Sequence, residues 1–79
     1  MKATVAVRPK PGILDPQGEA VRGSLQHLGF DVTETRVGRL VELELSATDP
    51  EAARHEVERM CEQLLANPLI ETFEIEIAT

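Results

Sequence analysis

The order of apolar patterns along the chain predicts an α+β domain of the split βαβ, ferredoxin-like kind (βαββαβ), an antiparallel sheet with two helices on one face. Two observations carry this prediction. An Asp-Pro pair opens a helical stripe twice, at Asp15-Pro16 and Asp49-Pro50, and alternating apolar residues stand before the first and after the second. With 79 residues, 42% of them apolar and 3% aromatic, there is room for one domain, 1–79, and for no second.

Lys2 to Arg8 places Ala3, Val5 and Val7 on one face and reads as the first strand. Pro9-Lys10-Pro11-Gly12 stops the ladder, because proline has no N–H to donate and restricts the residue before it. Asp15 is placed to cap a helix that starts at Pro16, carries Val21, Leu25 and Leu28 as an i, i+4, i+7 stripe, and closes at Gly29. Gly18 and Gly23 within it each lower helix propensity by about 1 kcal/mol relative to Ala, which points to close backbone approach.

Phe30 to Val37 is rich in β-branched residues yet poorly patterned, and reads as a half-covered or edge strand. Gly38-Arg39 then reads as a type II′ hairpin turn, or as a bulge within one long bent strand, before Val41, Leu43 and Leu45 alternate with Glu42 and Glu44. Ala53, Val57, Met60, Cys61 and Leu64 form the stripe of a second helix that runs to Leu65 and ends at Asn67-Pro68, with Asn67 as a left-handed cap. Phe73, Ile75 and Ile77 alternate with Glu74 and Glu76 in the last strand. In this topology the first strand lies between the third and fourth, so Lys2 and Arg8 separate two rows of glutamates. The opposite sheet face, with Thr4 and Ala6 at its middle, is left to solvent or to a second subunit.

A chain this short buries only about 60% of its unfolded surface and needs a brace. Cys61 is the only cysteine, so disulfides cannot supply one, and self-association as a dimer or tetramer is expected. The lone thiol and the lack of a secretory leader suit a reducing cytoplasm, and no apolar run approaches the roughly 18 residues of a membrane span. Residues 1–40 hold six bases and four acids while residues 41–79 hold two bases and ten acids, and there is no Trp or Tyr to stack on bases. Nucleic-acid binding is therefore not expected.

Catalytic chemistry finds little footing. Cys61 and Ser24 have no evident acid-oriented histidine, since His27 and His55 stand alone, and a single Cys with two isolated His shows no metal-ligand spacing. Glu42/Glu44 and Glu74/Glu76 are paired acids, but at i, i+2 on strands they read as a solvated face. No catalytic residue, metal site or cofactor is expected on this chain.

Lys10-Pro11-Gly12-Ile13-Leu14-Asp15-Pro16-Gln17-Gly18 has more turn and cap chemistry than a plain connection requires. Lys10 and the amides that open the first helix could meet an anion, but the Gly-Lys-Ser/Thr ending of a phosphate loop is missing. Ile13 and Leu14, two large apolar residues in a polar connection, favour a preformed docking loop. Together with KPGILDPQGEAV at Lys10 to Val21, the strings RVGR at Arg36 to Arg39 and CEQLLANPLIE at Cys61 to Glu71 closely resemble the PurS family, the small subunit of phosphoribosylformylglycinamidine synthase. The resemblance covers essentially the whole chain. Family members commonly read Gly-Lys at Gly38-Arg39 and Val at Leu69, so Arg39 keeps the charge with a different geometry.

The resemblance implies a non-catalytic subunit of a three-part enzyme of purine biosynthesis. A synthetase subunit would use ATP and magnesium, a glutaminase subunit would release ammonia from glutamine, and the small subunit would hold them together and assist ammonia transfer. It implies partner contacts at Arg8 and Lys10 to Gly18, at Arg36, Gly38 and Arg39, and at Leu65, Ala66, Asn67, Pro68 and Leu69. The second strand is the expected homodimer element. From another functional class, a dimeric βαββαβ small-molecule sensor is the alternative, and it predicts a metabolite pocket.

Overall fold

In the computed structural model, which describes residues 1–78, each clean alternation becomes a strand: β1 (Lys2–Pro9), β2 (Arg39–Glu44) and β3 (Glu71–Ala78). The sheet is antiparallel in the order β2-β1-β3, so the first strand is central as expected. Its register aligns Ala3 with Leu43 and Ile77, Val5 with Val41 and Ile75, and Val7 with Phe73, forming an apolar face. Ala3, Val5 and Val7 are buried on it. The opposite face carries the charges: Lys2 pairs with Glu42 at 2.7 Å and Arg8 with Glu74 at 2.8 Å.

Helix α1 (Pro16–His27) and helix α2 (Pro50–Met60) start at the two Asp-Pro pairs. Asp49 caps α2 by accepting from the Ala52 amide at 3.2 Å. The helix then widens into a π-helical turn, Cys61–Leu65, closed by the Ala66 amide on the Cys61 carbonyl at 3.0 Å. Ala53, Val57 and Cys61 are completely buried along one side of this helix and its extension, and Val57 and Cys61 belong to the same core as Ala3, Val5 and Val7. At the other end of α1, Gly29 adopts φ +97, and the amides of Gly29 and Phe30 reach back to Gln26 and Leu25, closing the helix as its glycine predicts.

Three expectations are corrected. The stretch Phe30 to Val37 is not a strand. Its backbone groups are satisfied elsewhere: the Val32 carbonyl accepts from Gln26 at 2.8 Å, the Thr33 carbonyl from Arg22 at 3.4 Å, and the Val37 amide donates to the Asp15 carboxylate at 2.8 Å. β-Branched composition alone did not make a strand where α1 side chains offered those partners. Nor is Gly38-Arg39 a type II′ turn or a bulge in one long bent strand, because Gly38 has no positive φ and only β2 follows it. A Cβ at Gly38 would strike the Val7 carbonyl, so the glycine permits close passage over β1. Asn67 is likewise not left-handed. Before Pro68 it takes a different backbone, and its side-chain oxygen accepts from the Leu69 amide at 3.1 Å in an Asx turn.

The burial of the two helices is unequal. α2 supplies the cover of the sheet, whereas α1 buries only Gly18 and leaves Val21 and Leu28 exposed, with Phe30 just beyond it exposed too. The chain is accordingly elongated, 48 × 25 × 14 Å, with a radius of gyration of 15.7 Å against about 12 Å for a compact domain of this length. No helix among the described residues is long and apolar enough to cross a membrane.

Candidate functional site

The three segments singled out by their turn chemistry, 10–18, 36–39 and 65–69, meet at one end of the sheet, and Asp15 joins the first two. One of its carboxylate oxygens accepts from the Gly18 amide at 3.0 Å, capping α1, and the other accepts from the Val37 amide at 2.8 Å. These two bonds, the Val37 one foremost, hold its carboxyl below the usual aspartate value. The Thr35 carbonyl lies where a Cβ of residue 18 would be, so only glycine lets the 35–37 segment pass this close to the helix.

Arg36 shapes the loop from the other side. Its guanidinium donates to the Lys10 carbonyl at 2.7 Å and to the Ile13 carbonyl at 3.0 Å, bracketing a turn in which the Ile13 amide returns to the Lys10 carbonyl at 3.2 Å. Pro11 and Gly12 fill the middle of that turn, with Gly12 at φ +84, as a type II turn requires.

Arg39 ties β2 to the third segment. It holds both oxygens of Glu71 in a fork, at 2.7 and 2.9 Å, and donates to the free carbonyl of Leu65 at the end of the π-helical turn, at 2.5 Å. Glu71 also accepts from the Asn67 amide at 2.8 Å. The Arg39 guanidinium, followed by that amide, keeps the Glu71 carboxyl below its usual range, and Glu71 in turn raises Arg39. The planar guanidinium of Arg39, with its paired donors, is what allows the fork, which a lysine ammonium could not make.

Between the loop and the starts of β2 and β3 lies a cleft of about 200 Å³, lined by Ile13, Leu14, Val37 and Ile70 together with Asp15, Gln17, Arg39 and Glu71. Leu14 is 77% exposed beside it and Leu69, in the neighbouring turn, 81%. Pro16, at the first position of α1, and Pro68, in the turn after the π-helical segment, are exposed, and Ala66 is buried beneath the corner. Arg8 stands apart on the charged sheet face with Glu74, along a second and shallower groove that also touches Arg36 and Arg39. Ile70 and Glu71 were not among the residues expected at the site from sequence. From sequence Glu71 is only the last residue of the CEQLLANPLIE string, although its place four residues after Asn67 is a usable signal.

Among the described residues no three of His, Cys, Asp and Glu stand close enough to hold a metal ion. Burial, and then nearby Glu62 and Glu58, push the Cys61 thiol up, which keeps it protonated and unreactive at neutral pH.

Residues 2–79 match the model of the family described as PurS, phosphoribosylformylglycinamidine (FGAM) synthase. The chain is 46% identical over 69 residues to phosphoribosylformylglycinamidine synthase subunit PurS of Synechocystis sp., covering 86% of this chain and 69% of that one. With the subunit PurS of Methanocaldococcus jannaschii it shares 38% identity over 96% of this chain and 93% of the relative. Among solved structures, the PurLQS structure from Thermotoga maritima contains a chain that superposes with a TM-score of 0.86 at 33% identity, over 95% of this chain and 93% of that one.

Gly18→Ala is expected to cost about 2 kcal/mol in denaturant unfolding, because its methyl group meets the Thr35 carbonyl and the Asp15 carboxylate. Gly23→Ala, in the same helix but facing open space, is expected to gain up to about 1 kcal/mol. The corner also sets a pH response. Asp15 and Glu71 are depressed from ordinary values of 3.8 and 4.5, so their contribution is complete above those values and is lost as pH falls through the lower folded ones. Melting temperature should therefore fall less between about pH 5 and pH 3 in Asp15→Asn and Glu71→Gln than in the unaltered chain.

Proposed function

Since this chain belongs to the PurS family, we propose that it is the non-catalytic small subunit of a phosphoribosylformylglycinamidine synthase complex in de novo purine biosynthesis. In this role it bridges the synthetase and glutaminase subunits and assists ammonia transfer from glutamine to formylglycinamide ribonucleotide. The observation that supports a docking role is the corner itself. Three distant segments are braced against one another by Asp15, Arg36 and Arg39, while the apolar tips Leu14 and Leu69 point outward. A surface made rigid in advance loses little conformational entropy when a partner arrives.

Ammonia released into water is protonated and diluted, so a subunit that aligns its source with its acceptor raises the local concentration without taking part in bond making. ATP and magnesium belong to the synthetase subunit in this arrangement, and the assembly is cytoplasmic. A second copy of the chain covers the exposed stripe of α1, giving a homodimer or tetramer.

The test is glutamine-dependent synthesis of formylglycinamidine ribonucleotide by the matching synthetase and glutaminase, with and without this chain, beside an ammonia-driven control. Glutamine-dependent turnover is expected to require the chain while the ammonia-driven reaction proceeds largely without it. Equal rates with and without the chain in both assays would contradict the role.

A further inference from the structure

Two apolar rows are left half-covered by the chain that carries them. Along α1, Val21 and Leu28 are 41% and 71% exposed, and Gly18 is the one residue the helix buries. On the core side of the sheet, Val41 and Leu43 of β2 and Leu45 just beyond it are only partly buried, whereas Ala3, Val5 and Val7 of β1 are buried. β2 is an outer strand, so its row borders solvent. α1 is tied to the 30–38 stretch, by Asp15 on the Val37 amide and by Gln26 and Arg22 on the Val32 and Thr33 carbonyls, and this holds its stripe away from cover. The cost in surface can be stated. The chain presents 5707 Å² to solvent, roughly 1,000 Å² more than a compact monomer of 8.7 kDa would. One side of a standard stable interface covers about 800 Å².

Resting on the self-association proposed above and going further, we infer that two copies exchange their first helices: the Val21, Leu25, Leu28 stripe of each lies on the Val41, Leu43, Leu45 row of the other. The lengths fit, since seven residues of helix span about 10 Å and four steps of strand about 13 Å. A two-fold axis beside β2 makes both contacts at once and closes the pair, leaving no stripe open for further copies. Charge favours the same arrangement. α1 belongs to residues 1–40, whose six bases and four acids give a net +2, and the row it meets opens residues 41–79, whose two bases and ten acids give a net -8. Exchange therefore sets opposite signs across the interface, which steers and orients the encounter. Pairing stripe against stripe would set like against like and leave the β2 row in water.

The experiment mixes isotope-labelled and unlabelled full-length chain and records methyl contacts between unlike copies by isotope-filtered NMR, beside the mass in solution by light scattering. Contacts from Val21, Leu25 and Leu28 of one copy to Val41, Leu43 and Leu45 of the other are expected, with the mass of a dimer or of a multiple of it. Val21→Glu and Leu28→Glu are each expected to raise the dimer dissociation constant about a hundredfold, because the new carboxylate would be desolvated in the interface. Leu64→Glu, at a position 83% exposed beyond α2, should leave it unchanged. Both α1 positions are exposed in the single chain, so circular dichroism should show the helices kept, and the NMR contacts need no variant at all. A dimer whose contacts between copies run stripe to stripe, or avoid the β2 row, would overturn the exchange while leaving self-association standing. An unaltered chain with the mass of a monomer at the concentrations used for NMR would overturn both.

Discussion

The corner depends on one carboxylate. Asp15 sits in the connection between β1 and α1 and satisfies two amides that are 19 residues apart, Gly18 at the start of the helix and Val37 in the approach to β2. An N-cap aspartate needs only the first of these bonds. The second makes the cap a cross-link, because the 30–38 stretch has no strand partner among the described residues and its only other ties to the rest of the chain are two side chains of α1, the Phe30 amide on Leu25 and Arg36 on the Lys10 turn. From that cross-link the rest follows: Arg36 is brought over the Lys10 turn, Gly38 is pressed onto the Val7 carbonyl, and Arg39 emerges facing Glu71.

Most of the fold could be read from spacing. The alternation of Ala3, Val5 and Val7, the two Asp-Pro starts, Gly29 and the Phe73, Ile75, Ile77 row each determine a local geometry with few alternatives, and the structure follows them. The region from Phe30 to Val37 misled because strand propensity describes a residue's fit to a pleated surface, and this stretch has none beside it. The end of the second helix misled for a related reason. Nothing in the run Cys61 to Leu65 distinguishes a π-helical turn from an α-helical one; the turn closes with the Ala66 amide on the Cys61 carbonyl, and Arg39 on the Leu65 carbonyl and the Asn67 turn follow directly after it.

The candidate site was legible in parts. Turn chemistry marked each of its three segments, but their meeting rests on contacts between residues 22 to 32 apart in sequence, which no local pattern records. Arg39 shows the difference. From sequence it is one cation beside a glycine; in the fold it closes the corner by holding a glutamate fork and a helix-end carbonyl together. Arg8, grouped with these residues from sequence, pairs with Glu74 on the charged sheet face and shares a groove with Arg36 and Arg39.

Two surfaces of different character result. The stripe of α1 leaves Val21 and Leu28 exposed and is loosely supported by the rest of the fold. The corner is small and braced from within, its backbone tied by Asp15, Arg36 and Arg39. The central claim is that the free chain carries this corner ready-made, and amide hydrogen exchange of the free protein at neutral pH tests it most directly. The account predicts that the Val37 amide, although outside any strand, exchanges on the order of a hundredfold more slowly than an open loop amide, and that Asp15→Ala releases Val37 and Gly18 while the β1 amides stay protected. A Val37 amide that exchanges at the rate of an unstructured chain would contradict it.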